Sequence, residues 1–270
     1  MKKLVSLMIA LCLFAAPVAF AKAADFVIVG ATPSPHGEIL EMIKDDMWEL
    51  GYILEIVIFT EYPLPNPALD NGELHANFFQ HKPYLNAYND TVPADKALIA
   101  AIPVHYEPFG LYAGRTASLE ALAEGAVITI TNDPSNETRG LLLLEAAGLI
   151  TLPEGTSVND SLTVMDIVDN PLKLDIREID ASQLPSTLED VDMAVINGNF
   201  AMDAGFKPSE DALFLEPLDS EAAVIYTNYV VVRGEDADAQ WVKDLESAMY
   251  QQKVIDYIME CGLVPAFTVE

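Results

Sequence analysis

The sequence predicts an α/β protein built of two lobes, with the second lobe inserted into the first. Short β-rich runs alternate with helical segments along the chain, and no hairpin turn separates the first strands, which favours parallel sheets. The length of 270 residues, 51% of them hydrophobic, suits one large domain or two smaller lobes. A cleft between two lobes is a common place for a small ligand.

The N-terminus predicts a secretory signal peptide over residues 1–21. Lys2 and Lys3 precede 18 uncharged residues that end in Ala-Phe-Ala, and Pro17 interrupts the apolar run. A membrane anchor is the alternative, because 18 residues just span a bilayer. Cleavage leaves 12 Lys+Arg and 42 Asp+Glu, a formal charge of −30.

The first lobe begins with a strand, a helix and a second strand, predicted over 26–30, 38–50 and 54–59. This order predicts a parallel pair of strands. A short helix over 67–71 and a strand over 76–79 follow. We expect the stretch 59–89 to be rich in loops stiffened by proline.

The second lobe repeats the alternation. Its predicted elements are a helix over 118–123, strands over 126–131, 174–179 and 193–196, and helices over 137–147 and 163–168.

A long β run over 224–232 and one amphipathic helix over 238–260 close the chain. We assign 25–108 plus 229–270 to lobe one and 109–228 to lobe two. The chain then crosses between lobes near 107–112 and 225–229.

Composition excludes several classes of function. The formal charge of −28 argues against nucleic acid, because phosphate binding needs clustered Lys and Arg. No phosphate loop, dinucleotide fingerprint, nucleophile elbow or zinc-protease motif is present, so we expect no enzyme and no cofactor. Cys261 is the single cysteine after the signal, which leaves no internal disulfide.

The histidines leave a metal site open as an alternative. A periplasmic metal-binding protein would use His75 and His81 with a distant carboxylate. Their spacing of six does not place both on one helical face, so we favour a surface or turn position for His75.

Aromatic and polar residues mark three other segments. Residues 59–89 carry six Tyr or Phe and His81, which form apolar walls or fill the core. Residues 131–150 predict a strand, a polar turn and a helix. The free N–H groups at the start of that helix, together with Arg139, suit a small anion. A surface ion pair is the alternative for Arg139. Asn197 and Asn228 follow or interrupt apolar runs, and a buried Asn needs polar partners.

These segments resemble the NlpA/MetQ family, the methionine-binding components of bacterial ABC importers. The resemblance rests on FTEYPLPNPALDNGELHANFFQHKPYL, NDPSNETRGLLLLEAAGLI and DIVDNPLKLDIREIDASQLPSTLEDVDMAVINGNFA, and it covers about 25–268. It implies the bilobal periplasmic-binding-protein fold, type II-like, that closes on L-methionine, with D-methionine as a variant. The alternatives are another apolar amino acid or a methionine-containing dipeptide.

The resemblance also implies the site and the partners. Tyr62, Phe79, His81 and Tyr84 would line the side-chain pocket, Arg139 would hold the carboxylate, and Asn197 and Asn228 would bind the α-amino and carboxylate groups. The partners would be a methionine ABC permease and its ATPase subunits, and we expect a monomer. The family is typically lipidated, but Leu11 stands where a lipobox before Cys12 needs a small residue. We therefore expect a free periplasmic protein.

Overall fold

The computed structural model describes residues 24–218 and 221–269, and these form two separate β-sheets. The predicted signal peptide and Cys12 lie outside the described residues. Within the described ranges, no helix combines the length and apolar character that crossing a membrane requires.

Eleven strands make up the sheets of the described chain. They are β1 (Asp25–Ala31), β2 (Tyr52–Ile58), β3 (Ala76–His81), β4 (Leu98–Tyr106), β5 (Gly110–Ala113), β6 (Val127–Thr131), β7 (Asp175–Ile179), β8 (Met193–Ile196), β9 (Ala212–Leu215), β10 (Thr227–Arg233) and β11 (Val264–Pro265).

Helices connect and cover the strands. Those of the described residues are α1 (Glu38–Met42), α2 (Lys44–Glu49), α3 (Pro65–Asp70), α4 (Lys82–Asn89), α5 (Pro134–Ala146), α6 (Leu184–Thr187), α7 (Gly198–Asp203), α8 (Pro208–Asp211), α9 (Glu221–Ile225), α10 (Gln240–Met249) and α11 (Gln252–Glu260).

The two sheets define two α/β lobes, as the fold class predicted. The first sheet has the order β11-β4-β10-β3-β1-β2 and the second has the order β7-β6-β8-β5-β9. The predicted parallel pairing of β1 with β2 is confirmed, in a register from Asp25 opposite Tyr52 to Ala31 opposite Ile58. The chain passes from the first sheet to the second between β4 and β5, and returns between β9 and β10.

Each lobe has its own apolar core on both faces of its sheet. In the first lobe α1, α2, α10 and α11 bury one face, and α3 and α4 cover the other. In the second lobe Leu141 and Leu144 of α5 pack on one face, and Leu184 of α6 with Phe200 of α7 packs on the other. The edge where the lobes meet is therefore left to polar and aromatic side chains.

Several element predictions were wrong in their bounds or type. The helix predicted over 38–50 is broken at Ile43 (φ −106°, ψ 5°), and that over 238–260 is broken at Tyr250 (φ −83°, ψ 62°). Tyr250 leaves the helical path because its hydroxyl donates to Pro103 O at 2.9 Å and its ring stacks on Phe267 at 4.2 Å. The helices predicted over 118–123 and 163–168 are only the 3₁₀ turns Leu119–Ala121 and Val164–Asp166.

The remaining errors concern helices and strands that were not predicted. The stretch 59–89 contains α3, β3 and α4 rather than mostly loop, and the run 224–232 begins in α9 before it becomes β10. Strand β4 was missed, since Pro103 interrupts its apolar run. Pro103 is accommodated where the register of β10 against β4 shifts, between Asn228 and Tyr229.

Candidate functional site

The predicted binding residues surround one cavity between the lobes. All seven line it: Tyr62, Phe79, His81, Tyr84, Arg139, Asn197 and Asn228. Five further residues complete the lining: Gln80, Glu107, Asn136, Gly198 and Asn199. The free volume of this cavity is about 20 Å³, room for about one water molecule, so a ligand needs the lobes to move apart before it can enter.

An aromatic wall forms one side of the cavity. The ring of Tyr62 lies 5.8 Å from Phe79, 5.6 Å from Tyr84 and 4.8 Å from Phe200, measured between centroids. Phe79 belongs to β3 and Tyr84 to α4 in the first lobe, whereas Phe200 belongs to α7 in the second. The wall therefore spans the cleft, and Tyr62 is the ring that joins the two lobes.

His81 is placed by the turn between β3 and α4. It is the N-cap of α4, and its Nδ1 accepts from the backbone N–H of Tyr84 at 3.2 Å. Burial, and then the charge of Arg139, lower the pKa of His81 to about 4, so the ring is neutral at pH 7. Because Nδ1 accepts, Nε2 carries the proton and donates to Asn136 Oδ1 at 2.9 Å. This bond connects the first lobe to α5 of the second.

Arg139 lies in the second turn of α5, because the helix begins at Pro134 and not near residue 137 as predicted. The expected anion site at the helix start is also wrong, since the N-cap Asp133 already accepts from the backbone N–H of Asn136 at 3.0 Å. Any anion in this cleft must therefore be held by side chains.

The guanidinium of Arg139 is buried, with 4% of the residue exposed. Its Nε donates to Glu216 Oε1 at 2.9 Å, its Nη2 donates to the Glu107 carbonyl at 2.7 Å, and the Tyr226 ring lies 4.1 Å away. Burial opposes the charge, but Glu216 raises the pKa of Arg139, which stays protonated. The bonds of Arg139 to Glu216 and to the Glu107 carbonyl are made through Nε and Nη2.

Two amide atoms at the start of α7 are buried without partners among the described residues. They are Asn197 Oδ1, an acceptor, and Asn199 Nδ2, a donor. Asn199 Oδ1 is used, since it accepts from the Tyr62 hydroxyl. Leaving such atoms unpaired costs about 1–3 kcal/mol each, so they indicate the place of a polar ligand.

Asn228 lies on the opposite side of the cavity, in β10. It is 5% exposed and pairs with His81 of β3 and with His105 of β4 in the first sheet. Asn228 also lines the cavity, so β10 of the first lobe contributes an amide to the site.

Glu107 was not predicted. Its Oε1 accepts from His105 Nε2 at 2.7 Å and its Oε2 accepts from the backbone N–H of Asn199 at 2.8 Å. Burial opposes ionisation, but His36, His105 and that N–H hold the pKa of Glu107 below its usual range. The chain has 42 acidic residues, so its composition does not single out any one carboxylate. The available signal was the position of Glu107 two residues after His105, at the end of β4.

The histidines predicted as an alternative metal site do not meet. His75 immediately precedes β3 and His81 ends it, about 20 Å apart for six residues of extended chain. His75 Nδ1 accepts from the backbone N–H of Ile28 at 3.0 Å, and both nitrogens of His81 are engaged. The hypothesis of a metal site on this pair is wrong.

Known proteins share this architecture over most of their length. Residues 27–264 match the sequence profile of the NlpA lipoproteins. The D-methionine-binding lipoprotein MetQ of Escherichia coli K12 is 37% identical over 234 residues, which are 85% of this chain and 82% of that protein.

Two solved structures extend the likeness to the fold. A nutrient binding protein from Burkholderia cenocepacia bound to methionine is 39% identical, with a TM-score of 0.82, over 89% of this chain and 100% of that one. A periplasmic substrate-binding protein of an ABC transporter from Coxiella burnetii is 39% identical, with a TM-score of 0.80, over the same shares. These relatives are described as binding proteins and not as enzymes.

Proposed function

The chain belongs to the NlpA lipoprotein family, and from that premise we propose that it is a substrate-binding protein for methionine. It captures the amino acid in the cleft between its lobes and delivers it to an ABC permease. The observation that carries the proposal is the pair of unpaired polar atoms at the cleft, the acceptor Asn197 Oδ1 and the donor Asn199 Nδ2, beside the buried cation Arg139.

This set complements the charged ends of an α-amino acid. An ammonium group supplies donors to Asn197 Oδ1, and Glu107 provides a negative charge beside it. A carboxylate accepts from Arg139 and from Asn199 Nδ2. Asn228 completes the polar ring from the first lobe. A ligand without these ends leaves buried groups unpaired, which penalises it more strongly than a change in its apolar part.

The aromatic wall accounts for the side chain. A thioether packs against aromatic rings with about 0.3–1.5 kcal/mol per contact, and the ring of Tyr62 touches three others in the wall. Tyr62, Phe79, Tyr84 and the neutral ring of His81 therefore line the position of the methionine side chain. The wall spans both lobes, so a bound side chain favours the closed arrangement.

A thermal-shift panel on ligand-free protein tests the assignment. We expect L-methionine to raise the melting temperature most, and N-acetyl-methionine and methioninol, which each lack one charged end, to give almost no shift. The shifts with D-methionine, L-leucine and glycyl-methionine show how strongly binding depends on stereochemistry, on the side chain and on ligand length, respectively. Asn197→Ala should abolish the shift, whereas the exposed Asn159→Ala is the matched control. No shift with any methionine compound refutes the proposal.

We also propose that the protein is exported by residues 1–21 and acts as a monomer. The expected free periplasmic form conflicts with the family, whose members are named as lipoproteins. Cys12 is the one cysteine in the predicted signal, so an anchor would be attached there. Cell fractionation of the wild type and of Cys12→Ser distinguishes an anchored protein from a free one. An anchored protein moves from the membrane fraction to the soluble fraction in the variant, whereas a free protein is soluble in both.

A further inference from the structure

Two buried histidines converge beneath the cleft on Glu107, the carboxylate that lines the cavity beside the proposed position of the ligand ammonium. His36 lies in the turn after β1, His105 lies in β4, and Glu107 follows two residues later. Their potential ligand atoms all lie within 4.8 Å of one another, and they are the one such group of three among the described residues. Both histidines are fully buried, and Glu107 is 5% exposed.

The donor atoms point at a common position. Glu107 Oε1 lies 2.7 Å from His105 Nε2 and 3.2 Å from His36 Nε2. His36 Nε2 has no hydrogen-bond partner in the described chain, and neither has His105 Nδ1. The nitrogen of His36 that faces Glu107 is therefore left without a hydrogen bond, where buried polar atoms are normally paired. The unpaired nitrogen of His105 is the one away from Glu107.

The surroundings of the cluster are those of a metal site. Thr32 Oγ1 lies 2.7 Å from His36 Nδ1 and orients the ring with Nε2 toward Glu107. The Phe78 ring meets both imidazoles edge-on, at 4.5 Å from His36 and 5.5 Å from His105, and gives the cluster a dry apolar floor. The second oxygen of Glu107 is held by the Asn199 N–H.

Charge balance supplies the remaining argument. Glu107 is a buried carboxylate, and no Lys or Arg among the described residues forms an ion pair with it. Arg139 touches only its backbone carbonyl and gives its charge to Glu216. Buried charges in proteins are paired or coordinate metals. In the protein without methionine, a divalent cation would supply the missing positive charge.

We propose that His36, His105 and Glu107 bind a divalent transition-metal ion, with Zn²⁺ as the preferred ion, through two imidazole nitrogens and one carboxylate oxygen. Tetrahedral zinc holds such donors about 3.3 Å apart. Glu107 Oε1 lies 2.7 Å and 3.2 Å from the two imidazole nitrogens, and all the ligand atoms lie within 4.8 Å of one another, so small side-chain shifts complete the site. The proton of His105 Nε2 moves to the unpartnered Nδ1, and no net proton is released. Water takes the fourth position, and the ion enters when the lobes separate.

Zinc competition with a chromophoric chelator tests the site. Chelator-stripped mature protein is titrated with Zn²⁺ in excess Mg²⁺, which occupies surface carboxylates. We expect one equivalent bound. His36→Gln and His105→Gln should each weaken binding by at least about 100-fold, and Thr32→Val by about 10–100-fold. His75→Gln, a histidine outside the cluster, should change nothing.

Two readouts keep the test decisive. Co²⁺ bound to the wild type should show the visible absorption of a four-coordinate site, without recourse to any variant. No stoichiometric Zn²⁺, or equal affinity in all variants, overturns the proposal. Methionine binding is measured with chelator present, so it can succeed or fail independently of the metal.

Discussion

The ion pair between Arg139 and Glu216 allows its structural role and its ligand-binding role to be separated. In Arg139→Met the Glu216 carboxylate stays buried without its cation. Two other donors remain to it, the Tyr106 hydroxyl at 2.8 Å and the Phe109 N–H at 2.9 Å. Breaking a buried pair costs about 3–5 kcal/mol of stability. Because two donors still bind the Glu216 carboxylate, we expect this variant to lose about 3 kcal/mol, the lower end of that range.

The double variant Arg139→Met/Glu216→Gln removes both charges together. The glutamine oxygen still accepts from Tyr106 or Phe109, so we expect most of the lost stability to return. Methionine binding should not return, because the ligand carboxylate has lost its cation. Loss of one partner of a buried charged contact costs about 2–5 kcal/mol, or about thirtyfold to a few thousandfold in Kd.

Urea unfolding measures the stability of the three proteins, and calorimetry measures their methionine affinity. Glu216→Gln alone is the matched control: it leaves Arg139 without its carboxylate, so methionine should stabilise it more than the wild type. If the double variant binds methionine as tightly as the wild type, Arg139 does not hold the ligand. If it stays as unstable as Arg139→Met, the buried pair was not the source of the loss.

Three smaller changes probe the contacts between the lobes. Tyr62→Phe removes the hydroxyl donated to Asn199, which should weaken methionine about two- to tenfold in calorimetry for a bond of about 0.5–1.5 kcal/mol; unchanged affinity would show that this bond does not support closure. Gly198→Ala places a Cβ 2.8 Å from Glu107 Cβ, so we expect about 1–3 kcal/mol lower stability in urea, and a wild-type value would mean that α7 can retreat freely. Asp203 accepts from the Ser34 N–H at 3.0 Å, and burial raises its pKa from 3.8 to about 6. Its proton-bound form is therefore favoured in the folded state: the stability it contributes is present below pH 4 and lost as the pH rises through 6. Asp203→Asn should gain on the order of 1 kcal/mol above pH 6, after allowance for solvent screening, and nothing below pH 4; an equal gain at both values contradicts this sign.

The elements that could be predicted from the sequence are those that depend on residues close together along the chain. The apolar runs of β1 and β2 and the helical spacing between them are enough to predict the parallel pair. The break at Tyr250 depends on contacts with Pro103 and Phe267, which are distant in sequence. No periodicity in 238–260 could reveal those contacts.

The candidate site shows the same division. Arg139 and the two predicted asparagines stand out because cations are few and polar residues interrupt apolar runs. Glu107 and Asn199 matter because α7 approaches the crossing between the lobes, and only the tertiary structure brings Asn199 N–H to Glu107 Oε2. Glu107 acquires its role from that approach, and the nearby His105 is the one sequence signal that distinguishes it from the other acids, which number 42 in all.

The most direct test of the central claim is a calorimetric titration of ligand-free mature protein with L-methionine. Ligand is first removed by unfolding, dialysis and refolding, so that a cleft already filled cannot conceal binding. We predict one site per chain and a negative heat-capacity change from burial of the side chain against the aromatic wall. A flat titration of folded, ligand-free protein would contradict the assignment of this cleft to methionine.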